Sequence, residues 1–403
     1  MKIKLGVIFG GETVEHEVSI ISAIQAMKNI DDEKYEIIPI YITKDREWYT
    51  GNILKDIEVY QDLDMIKRFC SNVVLYYKNG KYVLQKKNGL FRKEIKEVDI
   101  VFPVVHGTNV EDGVLQGYLE TIGIPFVGPN VYAAVAGQDK SIMKDIWKNA
   151  NLPMTEYFSF YDVDYNQDSD EIIKKAKKIG FPVIVKPAST GSSVGISVCE
   201  NEDDLKEAIE DAINYDNKII IEEVVKNLKE VNIAVMGNYE NQTVSEIEEV
   251  LSSNKFLTYQ DKYIGNSKGS KLKGGKTTSS KGMASTSRKL PADLDKKTRE
   301  TIEEVAVKAF KALGSSGNSR IDFLIDSKTN KVYINEINSI PGSLAFYLWD
   351  AKNIDFKTLL DDMINIGIKD YKKRISKTHS FDTNILEGFA NNSGLKGSKG
   401  KLR

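Results

Sequence analysis

The sequence predicts an α/β protein: an N-terminal doubly wound parallel sheet followed by a two-part α+β unit. Three observations carry that prediction. Short apolar runs that end in glycine alternate with helical periodicity through residue 105. The pattern restarts near residue 128 and changes again near 220. The length, 403 residues, suits two or three domains at roughly 150 residues each.

Taken in order, Leu5-Gly6-Val7-Ile8-Phe9 is an apolar run stopped by Gly10-Gly11, which reads as a buried parallel strand. Val18, Ile21, Ala23, Ile24 and Met27 recur at helical spacing over 17–29, and 35–42 is the next strand. Strands over 73–77 and 81–85 flank Lys78-Asn79-Gly80, and the Asn-Gly pair predicts a hairpin. Asp99–Val105 is another buried strand, ending at His106-Gly107. A helix over 130–150 and a strand over 181–185 follow. Beyond 221 come further strands, a long helix over 291–313 and a closing strand pair. The expected domains are 1–128, 129–220 and 221–376. Two stretches stand apart. From Lys262 to Ala292 there is no acidic residue, and Lys, Ser and Gly dominate, which predicts a mobile basic loop. The last stretch, 377–403, reads as a flexible basic tail.

Composition excludes several functions. Lys plus Arg number 56 and Asp plus Glu 58, a formal charge of −2, which argues against nucleic-acid binding by bulk charge. No run of 18 apolar residues exists, so no membrane span is expected. No signal-peptide pattern precedes the first strand. Two cysteines, Cys70 and Cys199, allow neither a disulfide framework nor a zinc cluster, and a reducing cytoplasm fits. Three histidines, His16, His106 and His379, make a multi-histidine metal centre improbable.

Four clusters carry chemistry. Gly10-Gly11 before a helix has the form of an anion cradle, since a helix N-terminus offers N–H groups and partial positive charge. Glu15, His16 and Glu17 crowd the same helix start, as ligand contacts or as plain dipole partners. His106–Gly113 sits at the C-terminal end of a buried strand, where open α/β sheets place ligands. Lys186 closes an apolar strand and a Gly/Ser loop runs to Gly195; backbone N–H groups and hydroxyls can wrap phosphate while the Lys supplies point charge. The Walker A order is absent. Finally, Arg320 and Asp322 share one face of a strand, and Glu336 and Asn338 one face of the next. Two carboxylates and an amide are hard oxygen ligands that suit Mg²⁺ carrying phosphates. Ile321, Phe323, Ile334 and Ile337 are expected to pack the other face.

In this order the clusters resemble one family, the D-alanine–D-alanine ligases of the ATP-grasp superfamily, from about residue 3 to about 352. The family's Gly-Gly-x-Ser-x-Glu-His-Glu-Val-Ser is similar to Gly10–Ser19, with Thr13 for Ser. Its His-Gly-x-x-x-Glu-Asp-Gly reads as His106–Gly113, its Asp-Lys as Asp139-Lys140, and its Lys-Pro-x-x-x-Gly-Ser-Ser-Val-Gly as Lys186–Gly195. Its Lys-Tyr is Lys262-Tyr263, its Arg-x-Asp and Glu-x-Asn are Arg320–Asp322 and Glu336–Asn338, and its Pro-Gly is Pro341-Gly342.

The resemblance implies an ATP-grasp fold after the N-terminal domain, and a cytoplasmic homodimer making D-alanyl-D-alanine for peptidoglycan. ATP would phosphorylate the carboxylate of one D-alanine; the amine of a second would attack the acyl phosphate. Lys140, Lys186 and Lys262 would hold ATP phosphates, with Ser193 in the phosphate loop. Glu222, Glu223 and Val225 would edge adenine, and Glu230 would take the ribose hydroxyls. Asp322, Glu336 and Asn338 would hold a pair of Mg²⁺ ions, with Mn²⁺ able to substitute. Arg320 and the Gly342 N–H would stabilise the oxyanion. Glu15 would fix the first substrate's ammonium with His106 nearby, and a Glu15–Ser192–Tyr263 chain would hold the loop closed. The sequence departs from the family in three places. The stretch 263–291 is longer and more basic than the usual closing loop, and the basic tail has no counterpart. After Pro341-Gly342, where the family places residues for the second substrate's carboxylate, Ser343–Trp349 is shorter and apolar, leaving Ser343 as the expected contact. D-Ser, D-lactate or another acceptor is the alternative, as is a silent nucleotide-binding relative. Tyr263 favours an amine over D-lactate.

Overall fold

The computed structural model describes residues 2–88, 93–191, 194–251 and 287–381. Its first sheet contains β1 (Ile3–Gly10), β2 (Tyr35–Ile42), β3 (Trp48–Thr50), β4 (Ser71–Lys78), β5 (Lys81–Lys86), β6 (Glu94–Val98) and β7 (Ile100–Pro103), in the order β6-β5-β4-β3-β2-β1-β7. β1 is parallel to both β2 and β7, as the apolar runs predict. The rest of the sheet is antiparallel, so the doubly wound part is confined to one end. The connections decide this. A helix separates β1 from β2, whereas β4 and β5 are joined by Asn79-Gly80, both at positive φ (49° and 84°), a turn that only reverses the chain. Helices α1 (His16–Asn29), α2 (Leu63–Phe69) and α3 (Val114–Ile122) add Ile20, Ile24, Ile66, Leu115 and Leu119 to the core over this sheet.

The expected single helix over 130–150 is two, α4 (Val131–Gln138) and α5 (Lys140–Asn149). Asp139 breaks it: its backbone is extended and its carboxylate accepts from the N–H groups of Ser141 and Ile142, a helix start in mid-segment. The second sheet, β8 (Tyr157–Tyr161), β9 (Val183–Pro187), β10 (Ser197–Cys199) and β11 (Lys218–Glu223), runs β10-β9-β11-β8. After α6 (Asp162–Gln167), α7 (Ser169–Ile179) and α8 (Glu202–Ala212) bury Ile172, Ile173, Leu205 and Ile209 with it. β11 continues to Glu223, past the expected boundary at 220.

The third sheet runs β14-β13-β12-β15-β16 and is antiparallel throughout: β12 (Leu228–Gly237), β13 (Gln242–Leu251), β14 (Ser287–Lys289), β15 (Gly317–Asp326) and β16 (Lys331–Asn338). Helix α9 (Lys296–Ala312) starts five residues later than expected, because Asp295 caps it by accepting from the Thr298 N–H. It buries Ile302, Ala306 and Phe310 against Ile321, Phe323, Ile334 and Ile337. The following segment leaves this sheet. From α10 (Phe346–Asp350) come Leu348 and Trp349, and from the start of α11 (Phe356–Ile375) come Leu359, Leu360 and Met363; all join the core of the first sheet.

Candidate active site

The third sheet builds the site by register. Glu248 on β13 pairs with Asn232 on β12, Asn232 with Asp322 on β15, and Asp322 with Glu336 on β16. One row of polar side chains therefore crosses four strands. The next row pairs Arg320 with Asn338. The ladder shifts where Asp322 pairs with Glu336 but Phe323 pairs with Ile334, so Asn335 is the extra residue of a bulge. That bulge explains how Ile334 and Ile337 both face the core, three residues apart, while Glu336 and Asn338 face away from it. A cavity of about 340 Å³ lies over this face, bounded by β9, β11 and the loops after β1 and β7. Glu15, His106, Lys140, Lys186, Glu222, Glu223, Val225 and Glu230 line it, together with Arg320, Asp322, Glu336, Asn338 and Gly342. Ser192, Ser193, Lys262 and Tyr263 lie outside the described residues, as do 252–286 and 382–403.

At one end stand buried lysines. Lys186 on β9 lies 3.2 Å from Glu222 Oε1, and Lys144, one turn after Lys140 on α5, lies 3.0 Å from Glu222 Oε2. Lys140 donates to the Thr190 carbonyl at 2.8 Å. Burial pushes Lys140 and Lys144 down, and the Lys186 charge adds to it. Burial pushes the Glu222 carboxyl up, but Lys144 and Lys186 outweigh it and hold it down at about 2. Two ammonium groups, Lys144 and Lys186, share one carboxylate and leave positive charge in a low-dielectric pocket, which a polyphosphate relieves. Glu222 itself is inside that cluster, with 2% of its side chain exposed, and Glu223 and Val225 follow at the strand end. Lys144 was not foreseen; its signal is the i, i+4 spacing from Lys140.

The opposite wall joins the first sheet to the third. Glu15 is wedged between two glycines: a methyl group added at Gly191 would stand 2.8 Å from its Oε2, and one at Gly107 3.1 Å. His106 Nδ1 is 2.8 Å from the Ile340 carbonyl and carries the proton; Nε2, 3.0 Å from Ser22 Oγ, accepts from that hydroxyl. Burial pushes His106 down despite Glu15 and the Ile340 carbonyl, so the ring is neutral. Ser22 Oγ in turn accepts the Ser343 N–H at 2.8 Å. Glu111, unforeseen as a site residue, accepts from Gly107 N–H at 3.0 Å, Ser339 Oγ at 2.9 Å and Ile340 N–H at 2.9 Å. Burial pushes its carboxyl up to about 7, against the two backbone donors and with help from Glu15.

Two expectations at the first strand end fail. The Gly10 N–H donates to Ser19 Oγ and the Gly11 N–H to the Ile42 carbonyl, both at 2.8 Å, so neither cradles an anion. The glycines serve close approach instead: a methyl group on Gly10 would meet the Ile42 oxygen at 2.2 Å, at φ 89°. His16 is structural, with Nδ1 donating to the Gly11 carbonyl at 2.6 Å and Nε2 accepting from Tyr41 Oη at 2.9 Å.

In the middle, Arg320 is bidentate on Asp322, Nε to Oδ1 at 2.7 Å and a terminal nitrogen to Oδ2 at 2.8 Å. Asn338 Nδ2 lies 3.3 Å from Oδ2. Among the described residues, no three His, Cys, Asp or Glu side chains could cage a metal alone. The set Asp322, Glu336 and Asn338 fits a cation such as Mg²⁺ that brings phosphate oxygens with it, the usual way this ion is held. Beyond Arg320 lie three residues the sequence did not mark: Glu248, Arg288 on β14, and Tyr347 on α10. Tyr347 Oη donates to Glu248 Oε1 at 2.7 Å, Asn232 Nδ2 donates to the same oxygen at 3.1 Å, and Arg288 lies 3.3 Å from Oε2.

Two facing sheets over one cavity, lysines at one end and a carboxylate–amide row at the other, define an ATP-grasp enzyme. Comparison with known proteins agrees. Residues 4–129 match the model of the D-ala D-ala ligase N-terminus and 146–365 that of the D-ala D-ala ligase C-terminus. The D-alanine–D-alanine ligase of Thermosipho melanesiensis is 39% identical over 96% of this chain and 98% of that protein. The VanG D-Ala:D-Ser ligase from Enterococcus faecalis superposes with a TM-score of 0.74 at 30% identity, covering 91% of this chain and all of that one. The D-alanine–D-alanine ligase from Coxiella burnetii gives 0.77 at 24% identity over 96% and 98%, a likeness of fold. The chain belongs to the D-alanine–D-alanine ligase family.

Proposed function

We propose that the protein joins two D-alanines at the expense of ATP, forming an acyl phosphate on the first, whose acyl carbon is attacked by the amine of the second with loss of phosphate, for peptidoglycan synthesis. The observation that carries this is the single cavity in which Lys140 and Lys186 face the Asp322–Glu336–Asn338 group, with Glu15 and His106 at its end. Phosphoryl transfer needs positioning and charge neutralisation more than covalent chemistry, and this arrangement supplies both. The lysines hold the phosphates. Glu222, Glu223 and Val225 flank the adenine and Glu230 the ribose. Mg²⁺ held by Asp322, Glu336 and Asn338 would neutralise charge on the transferring phosphoryl group. Arg320 leaves part of its pairing with Asp322 to meet the oxyanion at the attacked carbonyl, beside the Gly342 N–H. Glu15 takes the first substrate's ammonium. Neutral His106 holds the 340–343 turn that carries Gly342. A homodimer in the cytoplasm is part of the same reading and rests on the family resemblance.

The resemblance to a D-Ala:D-Ser ligase favours one second reading, D-serine as acceptor. ADP release measured across pairs of D-amino and D-hydroxy acids, with product masses, separates them. Fastest turnover with D-alanine alone supports the proposal; turnover requiring D-serine replaces it. No ADP release with any pair leaves a silent nucleotide-binding relative.

A further inference from the structure

We propose that Arg288 anchors the α-carboxylate of the second substrate, held in place by Glu248 and Tyr347. The inference rests on the ligase reading above and names a residue for its acceptor subsite.

The segment after Gly342 is spent on packing. Ser343, Leu344 and Ala345 all take left-handed backbone conformations, φ 52°, 51° and 47°. Each such residue is strained without glycine. The turn is held by the Ser343 N–H on Ser22 Oγ at 2.8 Å and by Asn318 Nδ2 on the Leu344 carbonyl at 2.6 Å. It sends Leu344, Ala345, Leu348 and Trp349 into the core with none of their surface exposed, and returns Tyr347 to the cavity. Where the family keeps residues for a carboxylate, this chain keeps a buried plug.

A cation stands opposite. Of the four lysines and arginines among the described residues that line the cavity, Lys140 and Lys186 stand at the Glu222 end and Arg320 is bidentate on Asp322. Arg288 is the fourth. Its guanidinium lies over the Tyr347 ring, 4.4 Å from the centroid, and 3.3 Å from Glu248 Oε2. Glu248 is fixed by the Tyr347 hydroxyl and by Asn232, in the same cross-strand row as Asp322 and Glu336. The ring contact and Glu248 hold the guanidinium in place, and its five N–H donors in a rigid fork match a carboxylate. Burial and the Glu248 charge push the Tyr347 hydroxyl up, so it stays neutral and does not cancel the arginine. Arg288 lines the same cavity as Arg320 and Gly342, where the attacked carbonyl is expected.

The test is a competition that does not depend on the amount of folded enzyme. The full-length protein is given ATP, Mg²⁺ and equimolar D-alanine and D-alaninamide, and the ratio of dipeptide to dipeptide amide is read by mass. Wild type is expected to favour the free acid strongly. Arg288→Met should lower that ratio at least tenfold, and Arg288→Lys should fall between the two. A wild-type ratio retained in Arg288→Met overturns the proposal, as does a collapse produced by Ser343→Ala alone. If wild type releases ADP with neither acceptor, the ligase reading itself fails and this proposal falls with it.

Discussion

The two ends of the cavity are built on different principles. At the Glu222 end, Lys140 and Lys144 sit one turn apart on α5 and Lys186 and Glu222 on neighbouring strands, and the fold brings the helix to the strands so that Lys144 and Lys186 share the Glu222 carboxylate. At the Arg288 end, the groups come from β13, β14 and α10, far apart in sequence and joined only by the fold. The first end holds like charges together around one carboxylate, where the proposal places the ATP phosphates. The second sets one arginine, Arg288, against one carboxylate, Glu248, which Tyr347 and Asn232 also hold.

The largest effect expected from this contrast is on stability at the Glu222 end. Glu222→Gln leaves Lys144 and Lys186 buried without their counter-charge and should cost about 3–5 kcal/mol in urea unfolding. A loss below about 1 kcal/mol would mean the lysines are solvated and the contrast is false. Next, Asp322→Asn should lower the rate of ADP release per folded molecule by about 10²–10³-fold, by weakening metal and phosphate neutralisation. It also removes the partner of Arg320, so unfolding must be measured alongside. Near-normal turnover would remove Asp322 from the metal set.

Glu111 gives a pH signature at the join between the first and third sheets. Its folded-state pKa is raised from 4.5 to about 7, so the folded protein binds a proton more tightly than the unfolded chain. Its contribution to stability is therefore full below about pH 4.5 and is lost as pH rises toward 7, on the order of 3 kcal/mol in all. The difference between wild type and Glu111→Gln, followed by unfolding from pH 4 to 8, should show that slope; a difference that does not vary with pH contradicts it. The smallest effect is at Ser22. Ser22→Ala removes the link between His106 and the Ser343 N–H and should cost about 1 kcal/mol, slowing turnover several-fold with the KM for ATP unchanged. An effect on the KM for ATP alone would place Ser22 outside the acceptor end.

Most of the cavity residues proposed for phosphate and metal were legible as a cluster because they lie within short motifs on or beside single strands. Lys186 closes an apolar run, and Arg320, Asp322, Glu336 and Asn338 follow strand alternation. Arg288 and Tyr347 were not legible. Arg288 lies inside the 262–292 stretch expected to be a mobile loop, but Ser287–Lys289 is a strand paired with β13, so that expectation fails at its C-terminal end; Tyr347 stands in an apolar run whose left-handed turn has no glycine to announce it. Glu248 looks like one charge among several on β13 until the register sets it beside Asn232. The false anion cradle at Gly10-Gly11 has a related cause: glycines mark both phosphate loops and tight contacts, and only the partner of each N–H tells them apart.

The chemistry proposed for the whole cavity is tested most directly by isotope transfer. D-alanine carrying ¹⁸O in its carboxylate is turned over with ATP, and the released phosphate is analysed by mass. Attack of the carboxylate on the γ-phosphoryl group makes one of its oxygens the bridge of the acyl phosphate, and amine attack at carbon expels that oxygen with the phosphate. The account predicts one ¹⁸O in each phosphate formed per dipeptide. Unlabelled phosphate released alongside dipeptide would contradict it.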